Sequence, residues 1–206
     1  FEDRRGNLWI GTETAGVALA KDGQVRSLAI GRGSREGRLM AACEDASGAV
    51  WLYTADGQLC RYQAGKMDIW NYGTDQPSVC RSLAAEPGRV WVGSDGQLTA
   101  LGPLAAIQPP NLPRELVLPV GRLDLLVPSA KGGHWRLMNG RVLLCRGNTL
   151  ERDLGAYPWK GNARPSAACE DHDGNLIVGT LDERSGDGVF WYGAAGKPAR
   201  ISTAEG

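Results

Sequence analysis

The sequence predicts an all-β fold, a β-propeller of four-stranded antiparallel blades, and three observations carry that prediction. A tryptophan recurs every 40 to 44 residues, and Ile177 stands at the fifth such position. A glycine stands three residues before each of these positions, and an acidic residue precedes most of them by five or six residues. A period near 40 residues with a fixed turn and aromatic signature is typical of propeller blades. The recurring residues are Trp9, Trp51, Trp91 and Trp135, then Gly6, Gly48, Gly88, Gly132 and Gly174, and finally Asp3, Asp45 and Asp171.

The second repeat shows how each element of a blade follows from its residues. Leu39–Cys43 is short and apolar, as expected of an inner strand buried on both faces. Glu44–Gly48 is a turn, because Asp accepts hydrogen bonds from nearby backbone N–H groups and Gly adopts positive φ. Val50–Thr54 carries the aromatic and β-branched residues that favour a second strand. After a hairpin turn, Gln58–Tyr62 and Met67–Tyr72 complete the blade.

Applied to the whole chain, the repeat predicts one propeller of about five blades. The tryptophans are expected to pack between neighbouring blades, where a large flat side chain buries the most area. Because Phe1–Asp3 looks like the end of an innermost strand, we expect an open arc of a larger propeller. Leu104–Pro119 holds four prolines and is predicted to be a long connection, and 181–188 an inserted loop. The predicted blades are 1–35, 36–76, 77–118, 119–160 and 161–206.

Composition excludes several partners. The 23 basic and 23 acidic residues balance, which argues against nucleic acid and against an anionic membrane surface. No apolar run approaches the roughly 18 residues that a spanning helix needs, so we expect no membrane contact in this segment. The cysteines show neither a disulfide framework nor a Cys-x-x-Cys metal pair, and we expect them to be small buried residues. They are Cys43, Cys60, Cys80, Cys145 and Cys169.

Three arginines form the candidate ligand site. Arg38, Arg122 and Arg164 each stand 13 residues before the recurring aromatic position, at the entry of an innermost strand. Projected around one mouth of the central channel, they would suit a carboxylate, sulfate or phosphate, since Arg offers a bidentate fork. In the third repeat Val79, 12 residues before Trp91, takes the equivalent place. The alternative is that the three arginines are solvated residues at strand starts.

Other chemistry is weakly represented. His134 takes the place of an aliphatic residue beside Trp135, which favours a packing role, and His172 lies in a turn. The segment Asp171–Gly174 has some likeness to a calcium loop but lacks the later oxygen ligands and is explained as a turn. We therefore predict no catalytic residue, no metal and no cofactor.

The repeats resemble the two-component regulator propeller repeat, which reads Glu-Asp-x-x-Gly-x-Leu-Trp-Ile-Gly-Thr. The segment Glu2–Thr12 matches this pattern almost throughout, and Glu170–Thr180 matches it with Ile177 in place of Trp. The segments 43–54 and 86–94 match more loosely. The resemblance implies an extracytoplasmic, periplasmic propeller of a large bacterial sensor protein such as a hybrid histidine kinase. It also implies ligand sensing, with glycan fragments a common theme.

Three functions remain open on these grounds. The first is a non-catalytic sensor module that binds an unknown small-molecule or glycan ligand at the channel mouth. Its partners would be further propeller blades and signalling domains of the parent chain. The second is a propeller that serves protein–protein interaction or structure, and the third is a propeller lyase or hydrolase. Fold alone does not choose among them.

Overall fold

The computed structural model confirms an all-β chain of propeller blades. It describes residues 1–12, 16–28, 30, 37–72, 81–94, 96–159, 163–181, 188–193 and 196–201. The chain divides into two compact units, Phe1–Leu118 with three sheets and Pro119–Gly206 with two. Every sheet is antiparallel, with its strands in sequence order. Several predicted blade boundaries, at residues 35, 36, 76 and 77, fall outside the described residues.

The strands of the first unit form one three-stranded and two four-stranded sheets. The first sheet also gains a backbone pairing at its inner edge, where Glu2 bridges Leu8. This pairing agrees with the expected end of an innermost strand at Phe1–Asp3. The strands are β1 (Leu8–Gly11), β2 (Val17–Lys21), β3 (Gln24–Leu28), β4 (Leu39–Glu44), β5 (Val50–Thr54), β6 (Gln58–Gln63), β7 (Lys66–Asn71), β8 (Arg81–Glu86), β9 (Arg89–Ser94), β10 (Gln97–Leu101) and β11 (Arg114–Pro119).

The second unit consists of two four-stranded blades whose inner strands, β12 and β16, pack against each other. Its core joins both blades and includes Trp135, Leu137, Leu176 and Phe190. The strands are β12 (Leu123–Pro128), β13 (His134–Met138), β14 (Arg141–Arg146), β15 (Thr149–Ala156), β16 (Arg164–Glu170), β17 (Leu176–Leu181), β18 (Gly188–Tyr192) and β19 (Pro198–Ile201).

One prediction about strands was wrong. The stretch Leu104–Pro119 is not a connection between the third and fourth blades, because its last six residues form β11, the outermost strand of the third blade. Its first part holds a short 3-10 helix, Leu104–Ala106, within the connection from β10 to β11. An outermost strand needs hydrogen bonds on one side only, so it tolerates the Pro119 that a central strand would exclude.

A carboxylate–indole hydrogen bond organises the turn between the first two strands in the first and second blades. In the second blade, Asp45 Oδ1 accepts from the backbone N–H groups of Ser47 (2.8 Å) and Ala49 (3.2 Å). The other oxygen, Oδ2, accepts from Trp51 Nε1 at 2.7 Å. The first blade repeats this arrangement, with Trp9 Nε1 2.9 Å from Asp3 Oδ2. One carboxylate thus fixes both the turn and the tryptophan six residues further on.

The third and fourth blades build a carboxylate–indole bond with different residues. In the third blade the acidic residue is one position closer to Trp91, and the longer side chain of Glu86 reaches its Nε1 at 3.0 Å. In the fourth, where the sequence has Ser129, Trp135 donates instead to Glu170 of the fifth blade. In the fifth, the aromatic position holds Ile177, and Asp171 accepts from the backbone N–H groups of its own turn.

Trp9, Trp51 and Trp135 pack between blades, as predicted. Trp9 lies in a cluster with Val50, Leu52 and Cys60 of the second blade, and its ring meets Tyr62 edge-on at 5.1 Å. Trp51, fully buried, packs in the same way with Leu83 and other residues of the third blade. The five predicted turn glycines all adopt positive φ, between 73° and 85°, which explains why no larger residue recurs there.

A second contact ties neighbouring blades together. The glutamate before the motif aspartate accepts a hydrogen bond from the preceding blade's turn, with Arg4 N 2.8 Å from Glu44 Oε2 and Ala130 N 2.9 Å from Glu170 Oε1. The Glu-Asp pair of the repeat therefore has two roles. The aspartate holds its own blade's turn, and the glutamate holds the turn of its neighbour.

The first and fifth blades expose apolar residues that the second blade buries. All five residues of β5 are buried, whereas three of the four residues of β1 are exposed. The exposed apolar side chains are Leu8, Ile10 and Val25 in the first blade, and Leu181, Val189, Trp191 and Ile201 in the fifth.

Replacing Asp45 with Ala should destabilise the chain by about 3 kcal/mol, because it leaves two turn N–H groups and the Trp51 indole without an acceptor in a buried site. The measurement is urea unfolding followed by tryptophan fluorescence. Asp171→Ala is the matched control, since it removes the corresponding turn bonds at a more exposed position and should lower stability less. Equal losses in the two variants would contradict this account of the buried indole bond.

Acid should weaken the first blade through Asp3. Burial alone would raise the pKa of Asp3, but hydrogen bonds from Trp9, Asn7 and Arg5 outweigh it and hold that pKa below its usual 3.8. Its stabilisation is therefore present above about pH 4 and is lost as the pH falls through the lowered folded value. We expect Asp3→Asn to flatten the decline of unfolding free energy between about pH 4 and pH 2. If the unfolding free energy of this variant declined with acid as steeply as that of the natural chain, the role of Asp3 would be contradicted.

Candidate functional site

The three predicted arginines stand at the entries of inner strands, as expected. Arg38 directly precedes β4, Arg122 directly precedes β12, and Arg164 is the first residue of β16. All three side chains are exposed. Arg122 and Arg164 therefore begin two inner strands that pack together in the second unit, and Arg38 holds the corresponding position in the first unit.

The third blade places a different arginine at nearly the same point. Val79, the residue that periodic counting selects, lies outside the described residues. In the strand register, Arg81 lies opposite Ser94 in the third blade, and Leu39 lies opposite Thr54 in the second blade. Arg81 therefore corresponds to Leu39 and stands one position after the place that Arg38 occupies. Arg81 is only 5% exposed; its Nη1 donates to Tyr53 Oη at 3.1 Å, and its guanidinium lies 5.1 Å from the ring centre. This arginine joins two blades, and counting missed it because the inner hairpin of this blade is shorter.

Arg122 belongs to a polar cluster at the entry of the fourth blade. Its Nε donates to Asp124 Oδ1 at 2.8 Å, and Nη2 lies 2.7 Å from the same oxygen. Tyr157, which follows β15, donates its hydroxyl to Asp124 Oδ2 at 2.8 Å. The positive charge of Arg122 is thus balanced by an aspartate whose side chain is almost fully buried. We call Arg122, Asp124 and Tyr157 the entry cluster.

The entry cluster keeps its tyrosine protonated. Burial raises the pKa of Tyr157, and the hydrogen bond to Asp124 together with the negative charge of that carboxylate raises it further. Arg122 opposes this effect only in part. Tyr157 therefore acts as a neutral hydrogen-bond donor across the physiological range. The sequence analysis pointed to Arg122 alone, and nothing in the repeat pointed to Asp124 or Tyr157.

The two histidines lie apart from the entry cluster. His134 is fully buried in β13, and its Nε2 accepts a hydrogen bond from Arg136 Nε at 2.8 Å. His134 therefore packs in the interior, as expected, and also makes this polar contact. His172 is 92% exposed in its side chain and lies 3.6 Å from Asp173 Oδ1.

The Asp171–Gly174 segment is a turn. The backbone N–H groups of Asp173 and Asn175 donate to Asp171 Oδ1 at 3.0 and 2.8 Å. Hydrogen bonds from the Asn175 side chain and backbone hold the pKa of Asp171 below its usual value. A carboxylate engaged by donors in this way serves the turn. Across the part of the chain that the structure describes, no group of three or more His, Cys, Asp or Glu side chains is arranged to hold a metal ion.

Three of the five cysteines are buried small residues, as predicted. Cys43, Cys60 and Cys145 are buried, whereas Cys169 is exposed and Cys80 lies outside the described residues. Burial raises the pKa of Cys43, and it raises that of Cys60 to about 12, with a smaller contribution from Asp56. These two thiols are therefore protonated and unreactive at neutral pH. Within the described ranges, no helix has the length and apolar character needed to cross a membrane.

Comparison with protein families identifies the repeat. The model of the two-component regulator propeller matches residues 1–14. This is the block in which Glu2–Thr12 carries the motif nearly unchanged. The first blade thus contains a two-component regulator propeller repeat, as the sequence predicted. Comparison with curated proteins found no matching sequence.

Solved structures share the propeller fold at low sequence identity. Virginiamycin B lyase from Staphylococcus aureus is 12% identical, with a TM-score of 0.72 over 98% of this chain and 68% of the lyase. The extracellular domain of a putative one-component system from B. thetaiotaomicron is 20% identical, with a TM-score of 0.69 over 98% of this chain. The extracellular domain of a putative hybrid two-component system from the same organism is 15% identical, with a TM-score of 0.63 over 97% of this chain. The chain spans only 30% and 27% of these two domains.

Tyr157 should not ionise where an exposed tyrosine does. Because its hydroxyl is buried and donates to a carboxylate, the absorbance change of tyrosinate formation near pH 10 should be the same in the natural chain and in Tyr157→Phe. Spectrophotometric titration of both proteins at 295 nm provides the measurement. A smaller change in Tyr157→Phe over that range would show that Tyr157 titrates normally, and would remove the bond to Asp124 from the entry cluster.

Proposed function

We propose that this chain is a ligand-binding sensor module of a bacterial signal-transduction protein and that it is not itself a catalyst. The observation that carries the proposal is the exposed arginine at the entry of inner strands in three blades. It occurs in a chain with a two-component regulator propeller repeat and a fold shared with extracellular domains of signalling systems. Binding would act by shifting the packing of blades or domains.

The chemistry of these arginines favours an anionic ligand. Arg38 and Arg164 offer guanidinium forks that suit carboxylate, sulfate or phosphate groups. Arg122 is already paired with Asp124, so it contributes less free charge but can orient a ligand hydroxyl together with Asp124 and Tyr157. Donors and acceptors at the entry of β12, together with Arg164 at the entry of the neighbouring β16, fit an acidic sugar. We therefore propose a glycan fragment or a related anionic small molecule.

The proposed partners are further blades and signalling domains of a longer chain. Leu8 and Ile10 of the first blade lie on β1, and Leu181 of the fifth blade lies on β17. The counterpart of both strands in the second blade, β5, is buried along its whole length. A further blade of the same type would bury them by the packing that Trp9 and Trp51 make. The proposed location is extracytoplasmic and periplasmic, in line with the extracellular domains of similar fold.

A propeller lyase is the second candidate, favoured by one observation. The entry cluster unites a carboxylate, a tyrosine hydroxyl and a guanidinium, which are groups used in acid–base chemistry. Against it, a histidine-to-alanine variant of virginiamycin B lyase is described as catalytically inactive. In the present chain His134 is enclosed in the core and His172 is almost fully exposed in a turn. We therefore rank binding above catalysis.

The test is a binding screen of the whole chain with Arg164 as the reporter. We expect uronic-acid oligosaccharides to raise the melting temperature, and neutral oligosaccharides of the same length to have no effect. Arg164→Gln should weaken the binding about tenfold, because it removes a charged hydrogen-bond donor. Isothermal titration calorimetry measures the affinity.

Arg146→Gln is the matched control. Arg146 is an exposed arginine at the end of β14, away from the entries of the inner strands, and it is paired with Glu151. Its affinity should equal that of the natural chain. Equal weakening in both variants would indicate general electrostatic attraction and would contradict the proposed site. Cleavage of an oligosaccharide to an unsaturated product, detected by absorbance at 232 nm, would favour the lyase instead.

A further inference from the structure

A cavity of about 320 Å³ lies in the first unit, away from the entries of the inner strands. One wall is the end of β7 and the residue after it, and the other is the connection into β11 together with the first residue of that strand. It therefore forms between the outer strands of the second and third blades. The lining residues that matter here are Trp70, Asn71, Tyr72, Pro110, Leu112 and Arg114.

The connection before β11 is held firmly enough to form a wall. Ile107, only 1% exposed, packs in the core shared by the second and third blades. Arg61 Nη1 on β6 donates to the carbonyl oxygen of Ile107 at 2.9 Å. Leu104 N donates to Gly88 O at 3.1 Å. The segment from Leu104 to Ile107 is thus hydrogen-bonded at both ends, and it holds the wall of the cavity in place.

The cavity is positive and rich in donors. Among the described residues that line it there is one cation, Arg114, and no carboxylate. The guanidinium of Arg114 lies 4.9 Å from the centre of the Tyr72 ring, a contact that occupies its face and leaves its in-plane N–H groups to bind an acceptor. Burial raises the pKa of Tyr72, so its hydroxyl stays neutral.

Trp70 lies in the same wall. The residue is 6% exposed, and its ring stacks on Trp51 with centroids 5.9 Å apart and lies beneath Arg61 at 5.6 Å. Its Nε1–H is closed to solvent and has no acceptor among the described residues. Trp70 therefore offers a ligand in the cavity its ring and not its N–H group, and the N–H resonance can report on what occupies the cavity.

We propose that this cavity binds a small cyclic or aromatic carboxylate. The carboxylate would pair with the Arg114 fork, and the ring would rest against Leu112, Pro110 and the Tyr72 ring. A volume of about 320 Å³ is at the lower end of ligand pockets and fits a molecule of one or two rings. The site uses none of the strand-entry arginines and is independent of the proposed sensor site.

The experiment follows the Trp70 indole N–H by nitrogen-15 NMR of the whole chain, with 3-phenylpropionate as the probe. The resonance is assigned by its loss in Trp70→Phe. We expect the probe to shift it in a saturable manner and the neutral 3-phenylpropanamide to leave it in place. Arg114→Gln should weaken the binding about tenfold, since it removes the charged partner of the carboxylate. Arg114 is exposed, so this variant should fold.

Two matched variants separate this site from general charge effects. Arg200→Gln removes an exposed arginine from β19, which is an outermost strand like β11, and Arg164→Gln removes a strand-entry arginine. Both should bind 3-phenylpropionate as the natural chain does. A shift that is equal with the acid and the amide, equal affinity in Arg114→Gln, or no shift up to the solubility limit of the probe would overturn the proposal.

Discussion

The hydrogen bond between a turn carboxylate and an indole N–H is the interaction on which the blades depend. In the second blade, one oxygen of Asp45 accepts from the turn backbone and the other accepts from Trp51. The bond therefore converts a local turn into a fixed position for the largest side chain of the repeat. That side chain then packs on the next blade. The spacing of blades follows from the geometry of the turn, because both are held by the same carboxylate.

The persistence of this bond explains where the sequence repeat is irregular. Glu86 compensates for a shorter spacing with a longer side chain, and Glu170 of the fifth blade accepts from Trp135 where the fourth blade has Ser129. Counting along the chain predicted the blades, the turns and the packing of Trp9, Trp51 and Trp135. It could not predict the bond to Glu170, because the two partners belong to different blades. Counting also failed to predict β11. Its prolines argued against a strand, but an outermost strand tolerates them.

The candidate site was predictable to a similar depth. The positions of Arg38, Arg122 and Arg164 at strand entries followed from the repeat, and all three side chains are exposed there. The partners of Arg122 were not predicted. Asp124 does not belong to the repeat pattern, and Tyr157 follows β15, 33 residues further along the chain than Asp124. Arg81 was missed because a shorter hairpin moved it out of phase with the count.

The two ends of an inner strand have different tasks. In the second unit, β16 begins at Arg164 and ends at Glu170. Glu170 accepts from Ala130 N and from the Trp135 indole, so it holds the turn and the tryptophan of the blade before it. A strand of seven residues spans about 20 Å. The proposed ligand-binding arginine and the glutamate that fixes the neighbouring blade are therefore the two ends of one strand. Binding at Arg164 would reach the packing of the fourth blade through β16.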